Sequence, residues 1–314
     1  MNKGKLKVYL PSITASIVLL IVGQVLSKGF ASANNIGSIL TVASVLAIAS
    51  IAQTLVILTG NEGIDLSVGA VMSMGALFGP LLAGGASSHL PIAFLMLAVI
   101  GGLIGLINGI GVQFVKIPPL VMTLIMVSVV NGFSLAYTKG QPAIQMPPVL
   151  LEVGAKIFGP IRWLLIIAVI ILIIMEVILR KSRYGRSLYL VGNNRRAAEI
   201  GGIGVNKIVI LSYVLAGIIG IWSGCILVGY AGSAQLEMAK DYTLLSIAAV
   251  VIGGTKLTGG EGTLLGGVLG AIVLTILTSV LVAVGMPDGV RELIQGLTLL
   301  VILMVYSRAP KLRQ

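Results

Sequence analysis

Long apolar runs alternate with short polar breaks along almost the whole sequence. A helix needs about 20 mostly apolar residues to cross the hydrocarbon core of a bilayer. The pattern therefore predicts about ten membrane-spanning helices, the eighth of which is short. Their approximate positions are 9–28, 36–59, 66–84, 90–115, 117–137, 161–179, 208–230, 243–255, 262–284 and 289–306.

Composition restricts the fold class in the same direction. Of the 314 residues, 57% are hydrophobic, 10% are charged and 41 are glycine, and the mean hydropathy is +1.09. No water-soluble fold could cover so much apolar surface, so a soluble globular domain is excluded. We expect an all-α, polytopic membrane protein in which residues 1–314 form a single transmembrane domain.

The basic residues predict the orientation of the chain. With the amino terminus in the cytoplasm, 15 of the 21 Lys and Arg residues fall in cytoplasmic segments and six fall outside. Basic residues are enriched in cytoplasmic loops, so both termini are predicted to be cytoplasmic. The net charge of +11 is then explained by topology and anionic lipid, and nucleic acid is not expected as a partner.

Two connections are longer than the others. The outside loop at about 138–160 contains Pro142, Pro147, Pro148 and Pro160, and the cytoplasmic loop at about 180–207 is strongly basic. Within the second loop, an Asn pair precedes good helix formers, and two glycines follow them. This pattern predicts a two-turn helix at 194–200. Such a short helix needs a partner surface, either lipid headgroups or another protein. The alternative is an ordinary basic loop.

Two hexads of the chain are nearly identical. LTGNEG at 58–63 and LTGGEG at 257–262 share five of six residues, and both precede a glycine-rich span. They are candidates for an internal repeat, which many transporters contain, or for chance similarity between glycine-rich turns. Directly after the first hexad, Asp65 or Ser67 can accept hydrogen bonds from the start of the next helix. That turn is either a simple cap or part of a pathway or coupling surface.

Residues able to carry catalysis are scarce. His89 is the only histidine, and neither a metal-ligand cluster nor a phosphate-binding loop is visible, so we expect no enzyme activity and no cofactor. Few ionisable residues fall within the predicted spans, which argues against a proton-coupled carrier. Polar residues in the spans are candidates to line a path for an uncharged polar solute, or simply to bond between helices. They are Gln53, Asn108, Asn131 and Gln295.

Several motifs together resemble a known family. They are TLVILT at 54–59, GIDLSVG at 63–69, RYGR at 183–186, GN at 192–193, GGIGVNK at 201–207, AAVVIGGT at 248–255 and LTGG at 257–260. In this order and at these distances they are similar to the permease subunits of ribose-type ABC importers, and the resemblance covers essentially the whole chain. Asn61 and Glu62 depart from the small or polar pair that is more usual in the family.

The resemblance implies a function and a set of partners. We expect a permease of a prokaryotic cell membrane that imports a simple sugar, such as ribose or another pentose or hexose. Its partners would be a second permease subunit, identical or homologous, a cytoplasmic ABC ATPase that hydrolyses ATP, and an extracytoplasmic solute-binding protein. The alternatives are a related importer for nucleosides or branched-chain amino acids, and a secondary carrier.

The resemblance also implies roles for particular residues. The helix at 194–200 would be the coupling helix that rests on the ATPase, and the outside loop would be a docking face for the binding protein. The residues expected to couple the permease to the ATPase are Gly192, Asn193, Arg195, Arg196, Glu199, Gly201 and Gly202. The signature turns would contain Gly63, Asp65, Ser67, Gly69, Gly253, Gly254, Gly259 and Gly260.

Overall fold

The computed structural model describes residues 3–141 and 145–307 and is almost entirely helical. Pro142 and the basic residues Arg308, Lys311 and Arg313 lie outside the described residues. The helices are α1 Lys3–Leu26, α2 Ala33–Ile57, α3 Val68–Ala83, α4 Leu90–Gln113, α5 Pro119–Thr138, α6 Pro148–Leu151, α7 Trp163–Lys181, α8 Arg183–Asn193, α9 Arg195–Ile200, α10 Val205–Ala231, α11 Tyr242–Ile252, α12 Leu264–Ala283 and α13 Asp288–Ser307. Two 3₁₀ turns, Ser87–His89 and Glu152–Gly154, complete the helical elements.

The apolar helices confirm the predicted class of an all-α, polytopic membrane protein. In the described ranges, seven helices are long and apolar enough to cross a membrane: α1, α2, α4, α5, α7, α10 and α12. The shorter helices α3 and α11 are also apolar. Each predicted span overlaps one helix of the structure, although the count of ten spans and the orientation of the termini stay predictions.

Both long loops contain structure that the hydrophobic pattern did not predict. The outside loop folds into α6 and a small antiparallel hairpin, β1 Lys156–Phe158 with β2 Ile161–Arg162. The cytoplasmic loop contains α8 in addition to the predicted short helix. Ser182 caps α8 by accepting a hydrogen bond from the backbone N–H of Gly185 at 3.1 Å. Only Gly185, Leu188 and Val191 of α8 are buried, and so narrow an apolar stripe is hard to detect in the hydrophobic pattern.

Contacts between the connecting segments define two ends of the bundle. At the junction end, the turns that follow α2 and α11 contact the α8–α9 connection, because Gly260 N donates to Leu58 O at 3.2 Å and Asn193 Nδ2 donates to Gly260 O at 3.2 Å. At the loop end, the outside loop meets the α3–α4 connection, where Val149 N donates to Ser87 Oγ at 3.2 Å. The predicted cytoplasmic and outside loops therefore lie at opposite ends.

Glycines allow the central helices to touch through their backbones. A Cβ atom added to Gly75 or Gly224 would overlap a backbone carbonyl oxygen on the facing helix, α10 for Gly75 and α3 for Gly224. Between α4 and α10 the same holds at Gly105 and Gly217. Small residues at such positions are typical of close helix packing in membranes. Helices α3, α4 and α10 therefore form a tightly packed core.

Helix α11 covers only about half of the bundle. Its 11 residues rise about 16 Å, roughly half of a 30 Å hydrocarbon core, and it ends at the junction end. The chain returns from the loop end through residues 232–241, which we call the re-entrant segment. Its inner part is anchored to α3, because Ala239 is buried and its backbone N–H donates to Ser73 Oγ at 3.0 Å, whereas Ser233 near its start is exposed. Non-helical backbone at this depth is tolerated only where protein or a cavity surrounds it.

We predict that Gly224→Ala destabilises the fold, because the added methyl group overlaps the carbonyl oxygen of Met72. Overpacking of this kind costs about 1–3 kcal/mol. Gly132→Ala on α5 is the matched control, since a Cβ atom there meets nothing within 4 Å. The thermal unfolding midpoint in detergent should fall for Gly224→Ala and stay level or rise for Gly132→Ala. Equal midpoints would contradict the packing argument.

Candidate functional site

The predicted short helix is present as α9, at the corner where α8 ends. Asn194 has an extended backbone and caps α9, its side-chain oxygen accepting from Ala197 N at 3.0 Å. Gly201 N donates to Ala197 O at 2.9 Å, and Gly202 adopts a positive φ of 80° that ends the helix. The chemistry expected from the sequence, an Asn cap followed by a Gly stop, therefore forms this element.

Helix α9 has an outward face and an inward face. The Arg196 side chain is 84% exposed and lies 4.0 Å from Glu199, which is 53% exposed. Ile200 is also exposed, at 79%. Ala198, in contrast, is buried, and the guanidinium of Arg195 lies partly buried beneath the helix. Two adjacent arginines therefore have different environments.

The inward arginine binds the end of α2. Arg195 Nη2 donates to Thr59 O at 3.3 Å and to Gly60 O at 3.2 Å. These carbonyls follow the carboxyl end of α2, where the helix dipole favours a positive charge. Burial lowers the pKa of Arg195 from its ordinary value, because desolvation disfavours the charged guanidinium. The two hydrogen bonds compensate part of that cost.

The second hexad meets the same corner. Asn193 Nδ2 donates to Gly260 O at 3.2 Å, and Tyr189 Oη donates to Gly262 O at 3.0 Å. A Cβ atom on Gly192 would overlap Leu58 O, and one on Gly259 would overlap the Gly60 backbone. The two hexad turns and the α8–α9 corner therefore pack backbone against backbone, and we call this contact the glycine junction.

The two hexads share part of their backbone conformation. Their third residues, Gly60 and Gly259, have φ values of 69° and 86°, and their fourth residues, Asn61 and Gly260, have 55° and 72°. At the fifth position Glu62 has a φ of 58°, whereas its counterpart Glu261 is not among the residues with positive φ. The sequence similarity thus corresponds to a shared turn that later diverges. Whether it reflects a true repeat stays a prediction.

A buried polar cluster surrounds Asp65, between α2 and α3. Asp65 Oδ1 accepts from Ser67 N at 2.8 Å and from Ser67 Oγ at 2.5 Å. Asn108 Nδ2 donates to Ser67 Oγ at 3.1 Å. With its amide oriented to satisfy both groups, Gln53 donates to Asp65 O at 3.0 Å and accepts from Asp65 N at 3.2 Å. Asp65 therefore orders this turn, whereas the Ser67 side chain makes no cap hydrogen bond to α3.

The burial of Asp65 changes its acidity. Desolvation raises the pKa of the carboxyl from its ordinary value, and the hydrogen bonds from Ser67 offset part of that rise. Tyr213 lies within electrostatic range of Asp65 and Arg195, and its buried hydroxyl has no hydrogen-bond partner among the residues that the structure describes. Sequence reasoning did not find Tyr213, because a tyrosine in an apolar span resembles ordinary core.

The other predicted signature-turn glycines lie in several different contacts between elements. Gly69 N donates to Thr243 Oγ1 at 3.1 Å, which ties α3 to α11, and a Cβ atom on Gly253 would overlap Gly266 on α12. Two other signature glycines shape turns: Gly254 has a φ of 85°, and a Cβ on Gly63 would lie 2.6 Å from Thr59 Oγ1. Of the four pathway candidates, only Gln53 and Asn108 lie in the Asp65 cluster.

The other two pathway candidates lie apart. On α5, Asn131 Nδ2 donates to Glu237 Oε1 of the re-entrant segment at 3.0 Å. On α13, Gln295 Nε2 donates to Thr278 Oγ1 of α12 at 2.9 Å. Gln295 lines a cavity of about 950 Å³ that begins at the α1–α2 turn and runs inward between α2, α11, α12 and α13. Within the described residues, no group of three metal-ligating side chains occurs.

Comparisons with known proteins find relatives along nearly the whole chain. A family profile described as "Branched-chain amino acid transport system / permease component" matches residues 35–303. The ribose import permease protein RbsC of Escherichia coli strain K12 is 32% identical over 309 residues, which cover 95% of this chain and 93% of that protein. RbsC of Bacillus subtilis strain 168 is 32% identical, covering 90% and 88% of the two chains.

A third relative is named for a different substrate. The autoinducer 2 import system permease protein LsrC of Escherichia coli O9:H4 is 34% identical over 301 residues, which cover 95% of this chain and 86% of that protein. No solved structure matches the chain.

We predict that Asp65→Ala destabilises the fold and that Asp65→Asn does not. Alanine removes the acceptor for both Ser67 donors, which costs about 1–3 kcal/mol when they stay buried. Asparagine keeps one acceptor oxygen and removes a carboxylate that is costly to bury. Unfolding midpoints at neutral pH provide the measurement, and a midpoint for Asp65→Asn as low as that for Asp65→Ala would contradict this account.

The pH dependence of stability should change with the same residue. Because the folded protein has the higher Asp65 pKa, it retains this proton to higher pH than the unfolded chain does. The free energy of unfolding should therefore decrease as the pH rises from about 4 towards the folded-state pKa. Asp65→Asn should lack this decrease, as seen from unfolding midpoints measured across that pH range.

Proposed function

The chain belongs to the branched-chain amino acid transport system / permease component family, as a ribose-type ABC importer permease, and we propose that it carries a simple sugar across the membrane. It is a multi-pass protein of the bacterial inner membrane. The solute would be ribose or another pentose or hexose. The two ribose import permeases that this chain resembles support this choice. A separate ATPase would hydrolyse ATP, and this chain would provide the path.

One observation carries the proposal: the exposed short helix and the end of α8 that precedes it are together bonded to the turns after α2 and before α12. We propose that α9 is the coupling helix and that its outward residues Arg196, Glu199, Ile200, Gly201 and Gly202 face the ATPase. Counting α3, α11 and α13 with the long apolar helices gives ten spans. Both termini and the glycine junction then lie on the cytoplasmic side.

The α8–α9 corner would provide the mechanical link. Arg195 bonds the carbonyls after α2, and Asn193 bonds the turn before α12. Gly192 lets the corner lie directly on Leu58. Movement of the ATPase would displace α9 and, through these contacts, shift the ends of α2 and α12 together. Such a shift would change which end of the path is open, as in rigid-body alternating access.

The outside face would receive the solute. An extracytoplasmic binding protein would dock on the outside loop, where Phe158 at the end of β1 is 79% exposed. Aromatic side chains exposed in this way are typical anchors of protein interfaces. A second permease subunit, identical or homologous, would complete the membrane part of the importer.

A second candidate substrate class is favoured by the family description, which names branched-chain amino acids. In that case the same coupling would operate with a different binding protein. A secondary carrier would need no ATPase, so a transport assay separates it from both importers.

We predict that uptake depends on ATP. Reconstituted with its ATPase and binding protein, the chain should accumulate labelled ribose when ATP is supplied. With a proton gradient but no ATPase, it should accumulate none. Parallel assays with leucine and adenosine distinguish the substrate classes. Uptake by the purified chain along a proton gradient would overturn the ABC proposal.

We predict that Arg195→Met uncouples ATP hydrolysis from transport. The variant loses charge-assisted hydrogen bonds to the end of α2, each worth about 1.5–3 kcal/mol. We therefore expect the amount of solute moved per ATP to fall about tenfold, the equivalent of 1.4 kcal/mol. Arg195→Lys should recover part of the loss, since it retains the charge but not the forked geometry.

Arg196→Met is the matched control for this experiment. It removes the neighbouring arginine, which is exposed and lies 4.0 Å from Glu199. It should weaken ATPase binding while keeping the ratio of transport to hydrolysis in the complexes that form. An unchanged ratio in Arg195→Met, or an equal loss in both variants, would contradict the proposed link.

A further inference from the structure

The cavity beside Gln295 has the features of a solute site. It occupies about 950 Å³, within the range usual for ligand pockets. We propose that it binds an uncharged, polyhydroxylated solute that enters from the loop end. This inference rests on the proposed function and adds to it a location within one subunit and a chemical class of ligand.

The cavity extends from the loop end to about the middle of the bundle. Its outer rim is formed by the α1–α2 turn, and its inner part by Asp241, Tyr242 and Leu245. Asp241 stands at the start of the half-length helix α11, so it lies about midway between the two ends of the bundle. A carboxylate facing a cavity at this depth is usually functional. Transporter sites are commonly built where a helix is interrupted near the membrane centre.

The α12 wall of the cavity presents hydrogen-bond acceptors. Thr275, Thr278 and Ser279 each donate their hydroxyl hydrogen to a carbonyl of their own helix, at 2.8–2.9 Å. A hydroxyl has one hydrogen and two lone pairs, so each oxygen keeps acceptor capacity towards the cavity. Towards a ligand in the cavity, these three hydroxyl groups therefore act as hydrogen-bond acceptors and not as donors.

The opposite walls add acceptors together with a few donors. On α2, Ser38 Oγ donates to Asn34 O at 3.1 Å, and Asn35 Nδ2 donates one hydrogen to Phe30 O at 2.6 Å. On α13, Gln295 Nε2 donates one hydrogen to Thr278 Oγ1. All three side chains keep an oxygen as an acceptor, and each of the two amides keeps a second N–H. A sugar, whose hydroxyl groups both donate and accept, complements such a lining.

The charged residues of the lining also favour a neutral solute. The lining contains the acids Asp241, Asp288 and Glu292 and the bases Lys28 and Arg291. Arg291 forms an ion pair with Asp288, so its charge is already compensated. The excess over the whole lining is one negative charge, which disfavours an anionic solute such as a phosphate. A neutral solute meets no such penalty.

The inner end of the cavity is closed by apolar packing. Leu46 and Leu274 belong both to the lining and to a small buried cluster between α2, α11 and α12. Gly270 on α12 lies so close to Ala249 on α11 that an added Cβ would overlap its carbonyl oxygen. In this conformation the cavity therefore opens towards the loop end and is sealed from the junction end.

Cysteine protection tests the site in the assembled transporter without its binding protein. The one native cysteine, Cys225, is buried, so it gives little background labelling. Thr278→Cys places a thiol in the cavity, and Ser233→Cys places one on the exposed loop end as the control. A membrane-impermeant maleimide should label both thiols from outside. D-ribose at four times its Kd should slow labelling of Thr278→Cys about fivefold, with no effect on Ser233→Cys.

Leucine and inorganic phosphate at the same concentration should not slow the labelling of Thr278→Cys. Absence of labelling, equal protection by leucine or phosphate, or equal protection of Ser233→Cys would each overturn the site. If wild-type transporter imports ribose but the cavity thiol is not protected, only this inference fails. If it imports no sugar with ATP, the proposed function fails as well.

A second measurement applies if Thr278→Cys does not fold. Binding of labelled ribose to the permease–ATPase complex can be measured by scintillation proximity with Gln295→Leu, which removes an acceptor and keeps the side-chain size. We expect binding to weaken about tenfold, equivalent to one lost hydrogen bond of 1.4 kcal/mol. Gln295→Glu, which retains an acceptor oxygen, should weaken it less. Unchanged affinity in Gln295→Leu would overturn the site.

Discussion

Contact of backbone with backbone at the glycine junction is the constraint on which the rest of the structure depends. Three segments that are distant in sequence meet there, and Gly60, Gly192 and Gly259 leave no room for a Cβ atom between them. Because no side chains separate the segments, a displacement of one would be expected to press directly on the others. The hydrogen bonds of Asn193 and Arg195 reinforce this contact, because each attaches the α8–α9 corner to one hexad turn. A short exposed helix is thereby joined to two membrane helices.

The two ends of the bundle are built on opposite principles. The junction end, like the α3–α4–α10 core, is close-packed through glycine. The loop end holds a large cavity whose walls combine polar and apolar side chains and whose inner end is a small apolar cluster. Packed interfaces switch between discrete arrangements and do not deform continuously, so a shift at the rigid end is expected to repack the small cluster first. Helix α11 connects the two regions, since it starts at the cavity and ends at the second hexad.

Hydrogen bonding by hydroxyl side chains explains how a polar path can form with few charged residues. Hydroxyl side chains satisfy their own donors within a helix and still accept from a solute, so a polar path can exist in an apolar helix without desolvated charge. Asp65 and Asp241 show the two ways in which a carboxylate is tolerated at depth. The first is buried and bonded to Ser67, and the second faces a cavity.

The sequence alone determined the class of the protein, the approximate bounds of its apolar helices and the short helix α9, because period, span length and capping are local properties. It also identified both hexads and the candidate residues Asp65 and Gln295.

Other features of the protein were decided only by tertiary contacts. Local pattern does not show that Arg195 points inward while Arg196 points to solvent, that the two hexads touch, or that Gln53 and Asn108 join at Asp65 while Asn131 and Gln295 lie elsewhere. Nor does local pattern show that Asp241, which lies between two predicted spans, lines a cavity. Packing between segments that are distant in the sequence sets how deep a residue lies in the bundle and which way its side chain points. Local sequence pattern therefore predicts neither property.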